Sequence, residues 1–194
     1  MSHALYRLTD DIRNKIPGVV DSMIQSELFA VADELFNRSN CWTTLISFSV
    51  NSSSKTYTLV PDAATRIVRL NGISDSDDIT VRGYMSEPGT IVLWEYPSAT
   101  ETYTADVVLT VADPTTRDGD PVIPEWALVQ YREVLLDGCL GRLMSQIAKP
   151  YSNERLAIYH MRRFRNGIAQ AKAEKTHGNL YRGQRWSFPR SFAR

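Results

Sequence analysis

The chain has 194 residues, with 22 Lys or Arg balanced by 22 Asp or Glu, so its formal net charge is zero. Hydrophobic residues make up 43% and charged residues 23%, values that suit a globular chain with a core and argue against a disordered polymer. The zero net charge hides a polarity: residues 155–194 hold ten basic residues and one acid, a balance of +9, whereas residues 1–154 hold twelve basic and twenty-one acidic residues, a balance of −9. No run of eighteen apolar residues exists, so no membrane span is expected. The opening residues MSHALYRLTDDIRNK are polar, so no secretion signal is expected, and two widely separated cysteines, Cys41 and Cys139, suit a reducing compartment and a core role.

In chain order, a short helix is predicted over Thr9 to Lys15, with Thr9 as its cap. After Pro17-Gly18, Val20, Ile24, Leu28, Val31 and Leu35 recur at four and three residues, which predicts one amphipathic helix ending at Asn37 to Asn40. From Trp42 to Pro121 the pattern turns to β. Six short strands are predicted, over Thr44–Val50, Thr56–Val60, Arg66–Leu70, Ile79–Tyr84, Thr90–Tyr96 and Thr104–Val111, separated by turn-forming polar clusters. Such spacing suggests a small antiparallel sandwich or barrel. Pro124 then reads as the first residue of a helix running to Lys149-Pro150, with Gly138 and Gly141 inside it at a cost of about 1 kcal/mol each relative to Ala, which points to close approach of a neighbouring helix. A last helix is predicted from a Ser152 cap, with Leu156, Tyr159, His160, Phe164, Ile168 and Ala171 on one side and Arg155, Arg162, Arg163, Arg165 and Lys172 elsewhere.

The domain division expected is residues 1–42 and 122–176 as a helical bundle, residues 43–121 as a β insert, and residues 177–194 as an extended partner-binding tail. The helices must pack together because each has an apolar stripe to bury. The tail, from His177 to Arg194, holds four arginines, no acid and four aromatics. It is too short and too rich in Gly, Pro and Ser to fold alone, and too aromatic for a solvated linker. Tyr181, Arg182, Arg185, Trp186, Phe188, Arg190, Phe192 and Arg194 are its candidate binding residues, since Trp, Tyr and Arg dominate interface hot spots.

Catalytic chemistry finds little footing. His3 and His177 lie near the ends, and His160 beside a core face reads as structural. No HExxH or paired Cys/His spacing supports a metal, no Gly-rich phosphate loop and no GxSxG elbow is present, and no cofactor is expected. Glu27, Glu34 and Glu133 read as solvated helix residues rather than paired glycosidase carboxylates, and Asp75, Asp77 and Asp78 as a turn rather than a calcium loop. The chain is therefore read as a non-enzyme. Interleaved arginines and aromatics in the last helix and tail leave nucleic-acid binding as the alternative to protein docking.

The third region carries a resemblance. Trp126 to Gly178, with its small-residue stretch at Leu140-Gly141, then Lys149-Pro150-Tyr151-Ser152-Asn153, Leu156-Ala157, Tyr159-His160, Phe164 and Gly167-Ile168, is similar to the C-terminal half of head–tail adaptor (neck or connector) proteins of tailed bacteriophages, the short-tailed type in particular. Ile16-Pro17-Gly18, Cys41-Trp42 and Pro124-Glu125-Trp126 fit the same pattern. The resemblance covers about half the chain, at both ends; the β region matches by position alone. It implies an α+β fold, namely an α-helical bundle with an inserted small antiparallel β module and an extended C-terminal tail. It also implies a structural virion protein at the head–tail junction, assembled in the host cytoplasm. Such proteins form a ring of commonly twelve copies, dock on the portal protein and carry the tail tube or nozzle protein. They line the DNA passage, with transient contact to the passing genome and none to a membrane. The C-terminal tail would be the part that grips the portal. A basic and an acidic end meeting head to tail is also the geometry that generates rings.

Overall fold

The computed structural model describes residues 2–62, 64–112 and 121–177. The segment that contains the candidate binding residues Tyr181, Arg182, Arg185, Trp186, Phe188, Arg190, Phe192 and Arg194 lies outside the described residues.

Among them the elements run as β1 (Ser2–Ala4), a 3-10 turn (Leu5–Leu8), α1 (Thr9–Lys15), α2 (Asp21–Ser39), β2 (Thr43–Val50), β3 (Thr56–Thr58), β4 (Thr65–Ser74), β5 (Gly83–Glu87), β6 (Thr90–Leu93), β7 (Glu101–Val111), β8 (Val122–Pro124), α3 (Glu125–Gln130), α4 (Arg132–Met144) and α5 (Glu154–His177). All pairing is antiparallel: β2-β7-β4 form one sheet, β3-β6-β5 a second, and β1 pairs with β8.

This corrects the expected fold class. The protein is not a helical bundle with a small β module but a mixed fold, with 44% of the described residues helical and 28% in strands. The physical reason is that the strands own a core. Val50, Leu59, Ile67, Ile73, Ile91 and Leu93 bury one another with Tyr103, Ala105, Val107 and Leu109 of β7. A second core forms from Leu5, Ile12, Ile24, Leu28, Leu35, Phe36, Leu135, Leu140, Phe164 and their neighbours. Strand β7 belongs to both. Its first half alternates, but residues 107–111 are all buried, because β7 lies between β2 and β4 and also packs on α2. At that seam Thr110 donates to Asp33 Oδ1 of α2 at 2.9 Å, and Arg66 of β4 meets the same oxygen at 2.7 Å.

Several boundaries differ from the periodicity. The long third helix is two, since Tyr131 (φ −108°, ψ 16°) interrupts it between α3 and α4. Pro124 is extended and pairs with Ser2, so it precedes the helix rather than starting it. The last helix is capped by Asn153, whose Oδ1 accepts from the Leu156 amide at 3.2 Å, rather than by Ser152. Thr9 caps nothing; its hydroxyl is buried without a partner. The strand expected over Ile79–Tyr84 begins at Gly83. The Asp75 carboxylate accepts from the amides of Asp77 and Ile79, both at 2.9 Å, and shapes the turn before it. Between turn and strand, Thr80 bridges Ser74 while the Val81 amide reaches Ile73 O at 2.8 Å. The α2 stop is Asn40, in the left-handed conformation at φ 55° that asparagine tolerates.

Gly138 and Gly141 bring helices together within the subunit. A Cβ on Gly138 would lie 2.5 Å from Val31 Cγ1 and 2.9 Å from the buried Phe164 ring, whereas one on Gly141 would meet Met161 Cγ at 2.7 Å. Val31 and Phe164 are stiff and enclosed; at Gly141 the methionine side chain can swing aside, which leaves the Met161 backbone nitrogen at 3.1 Å to shift by a few tenths of an ångström. Gly138→Ala is therefore expected to destabilise by about 1–3 kcal/mol through overpacking despite its gain in helix propensity, and Gly141→Ala by less. Thermal unfolding of the two variants checks the order.

Candidate docking surfaces

Helix α5 separates its residues by face. Ala157, Phe164, Ile168 and Ala171 are buried against α2 and α4, whereas Leu156 and Tyr159, expected on that side, are exposed because Ala157 takes the core position. On the outer side Arg155, Arg162, Arg165 and Lys172 are exposed, and no carboxylate among the described residues forms an ion pair with them. Their spacing of seven, three and seven residues lines them along one stripe. The other basic residues of the helix are engaged: Arg163 Nε meets Asp137 Oδ2 at 2.8 Å and Lys175 Nζ donates to Thr43 Oγ1 at 2.7 Å.

Asp137 is the buried carboxylate of α4, and it holds two partners from α5. Arg163 takes one oxygen and His160 Nδ1 lies 2.8 Å from the other. Tyr159 lies edge-on to the His160 ring, and Arg163 bonds its hydroxyl at 3.1 Å. The constellation closes on itself and fastens α5 to α4, so His160 has a positioning role in the fold.

Between the end of α4 and the first half of α5 lies a groove of about 790 Å³. Met144, Ala157, Ile158 and Met161 make it apolar, Ile147 stands at it with 91% exposure, and Arg162 and Arg165 line it on the α5 side. Glu154 is its one lining carboxylate. Sequence periodicity does not reveal this groove, because it exists only where the loop after α4 turns back; Ile147 beyond the end of α4 was its only sequence signal.

The β layer presents a different surface. Trp94 and Tyr96 are exposed, but each has a cation over its ring, Arg82 at 6.0 Å and Lys55 at 4.4 Å. The turn at Ser76 to Ile79 is exposed, with Asp78 at φ 60°, and neither Asp77 nor Asp78 forms an ion pair with any described residue. On the helices several acids are occupied: Glu27 and Glu34 bracket Arg142, and Asp11 meets Arg132. Glu133 contacts Arg132 at 3.3 Å. Thus the three glutamates considered for hydrolysis serve as ion-pair partners on helices.

The thiols are held neutral. Burial pushes Cys139 well above its ordinary range, with Glu27 adding to the effect, and burial raises Cys41 against the opposing bond from Ser39. Burial, Cys41 and Glu174 together raise the Tyr131 phenol. No cluster of three or more His, Cys, Asp or Glu able to hold a metal occurs among the described residues, and no described helix is long and apolar enough to cross a membrane. No family model matches the chain, and no curated protein matches it.

Two outcomes follow from these contacts. Asp137→Ala and Arg163→Ala are each expected to lower stability, by about 1–3 kcal/mol for the buried carboxylate, and the double variant to lose less than the sum because the two share one interaction; a chemical-denaturation cycle measures the coupling. A thiol whose pKa is raised on folding stabilises the protein below the unfolded thiol value of about 8.5, and that contribution is lost as pH rises further. The urea midpoint should therefore fall between pH 8 and pH 10, and less steeply in Cys139→Ala.

Proposed function

We propose that the chain is a structural adaptor that joins two unlike assemblies at a phage head–tail junction, forming a ring that docks on the portal and carries the tail or nozzle component. The observation that carries this reading is a stripe of cations without carboxylate partners on α5 together with a turn of carboxylates without cation partners in the β layer. Free arginines and a lysine stand in one stripe on α5, leading into a segment with four more arginines and four aromatics, while free carboxylates stand on the β turn. A two-ended connector needs two surfaces of unlike chemistry, and a segment rich in Trp, Tyr, Phe and Arg suits a protein partner. The resemblance of the helical regions to head–tail adaptors supports the same reading.

In this reading Tyr181, Arg182, Arg185, Trp186, Phe188, Arg190, Phe192 and Arg194 bind the portal protein. In an extended segment Trp186 and Phe188 share a side, and the arginines can take carboxylates or carbonyls in bidentate fashion. DNA passing through a ring is a passenger, so only weak, salt-sensitive, sequence-independent affinity for it is expected. The alternative, a nucleic-acid-binding protein using α5 and the tail, draws on the same stripe of cations.

Deletion of residues 178–194 tests the assignment. The truncated protein should keep its circular dichroism and unfolding midpoint yet fail to join portal-bearing heads, and Trp186→Ala should weaken attachment more than any single arginine replacement. Truncated protein that still attaches and supports infectious particles would overturn it. Sequence-specific DNA binding that persists at physiological salt would favour the alternative.

A further inference from the structure

We infer that the groove between α4 and α5 receives the β4–β5 turn of a second copy, so that copies associate head to tail through Ile79, Asp77 and Asp78 of one and Arg162 and Arg165 of the next. The inference rests on the adaptor reading for the closure of the array into a ring, and on the surfaces themselves for the contact.

Each surface is incomplete alone. The groove has an apolar floor of Met144, Ala157, Ile158 and Met161, and two arginines that pair with no described carboxylate. Ile147 and Ile158, the exposed apolar residues of this lining, stand beside free guanidinium groups, an arrangement that suits an apolar knob flanked by carboxylates. The turn is such a knob. Ile79 is 62% exposed, Asp77 and Asp78 adjoin it, and the Asp75 carboxylate fixes the backbone through the amides of residues 77 and 79. A turn held in shape beforehand loses little entropy when it docks. At about 790 Å³ the groove has room for the isoleucine together with the neighbouring carboxylate side chains.

Charge decides between occupants. Residues 178–194 carry four arginines and no acid, so a groove bearing Arg162 and Arg165 repels them. Trp94 and Tyr96 already have cations over their rings, which would face the arginines of the groove. The turn at residues 76–79 joins an uncovered apolar side chain, Ile79, to two adjacent carboxylates without ion pairs, on a backbone that Asp75 holds in shape. Turn and groove belong to different layers of the fold, β and helical, so each can be met by another copy. The contact is then heterologous, one patch to an unlike patch, which propagates into a ring or a filament according to the rotation between copies.

A two-variant exchange tests this. Variant A carries Ser76→Lys, Asp77→Lys and Asp78→Asn, the asparagine tolerating the left-handed backbone at that position. Variant B carries Arg162→Glu and Arg165→Glu. All these positions are exposed, so circular dichroism and unfolding midpoints should match the parent. Sedimentation velocity should find the parent chain associating up to millimolar concentration and less so in high salt. A alone and B alone should each associate at least tenfold more weakly. An equimolar mixture should recover association, because A's arginines accept B's native turn and B's glutamates accept A's lysines. A parent that stays monomeric at millimolar concentration, single variants that associate like the parent, or a mixture that fails to recover would each overturn the inference. Binding to a candidate portal ring through the intact C-terminal segment, measured in parallel, separates the two readings. Portal binding without the exchange behaviour leaves the adaptor and removes this interface, and exchange behaviour without portal binding does the reverse.

Discussion

The double burial of strand β7 is the constraint on which the rest of the molecule depends. A strand with one wet face can slide or fray, but residues 107–111 have no face to give to water. On one side they complete the β core, and on the other they meet α2, where Asp33 takes Thr110 and Arg66 together. Thr110 is a buried hydroxyl, so the carboxylate that satisfies it also fixes how α2 lies across the sheet. Shifting β7 by one residue would reverse its faces and strand that hydroxyl, so register in the sheet and placement of the helices are one decision.

With α2 fixed, the helical layer is built by close approach. Gly138 and Gly167 let α4 and α5 meet without side-chain spacers, against Phe164 and Val134. Asp137 closes the same seam by taking His160 and Arg163. Packing this tight leaves α5 no freedom to rotate, and its arginine stripe is held outward. The exposed charge of the helix follows from packing on its other side.

The proposed role draws on that division of labour. One set of ionic groups is spent inside the subunit: Glu27, Glu34 and Arg142 bind helix to helix, and Arg132 reaches Asp11. Another set is left without partners, cationic on α5 and anionic on the β turn. Unpaired charges fixed on rigid elements cost little to desolvate partially at a rim, and they direct which faces can meet. An assembly protein that must add identical copies and then hold two different neighbours has use for both.

Much of this was legible in residue order. Helix α2 could be read from Ile24, Leu28, Val31 and Leu35, which are all buried, although Val20, read into the same stripe, is the exposed residue that precedes the helix. The close helix approach could be read from two glycines that a helix would otherwise exclude. Of the candidate binding residues, Trp186 and its neighbours were chosen from composition alone, and they fall outside the described residues. What could not be read was the weight of the β layer, the break at Tyr131, the pairing of β1 with β8 and the groove beside Ile147. Local sequence determines which face of a segment is apolar, because periodicity is a property of neighbours three or four, or two, positions apart. Whether that face meets its own layer, the other layer or solvent depends on residues tens of positions away. The second buried face of β7 and the outward stripe of α5 were therefore decided by tertiary packing.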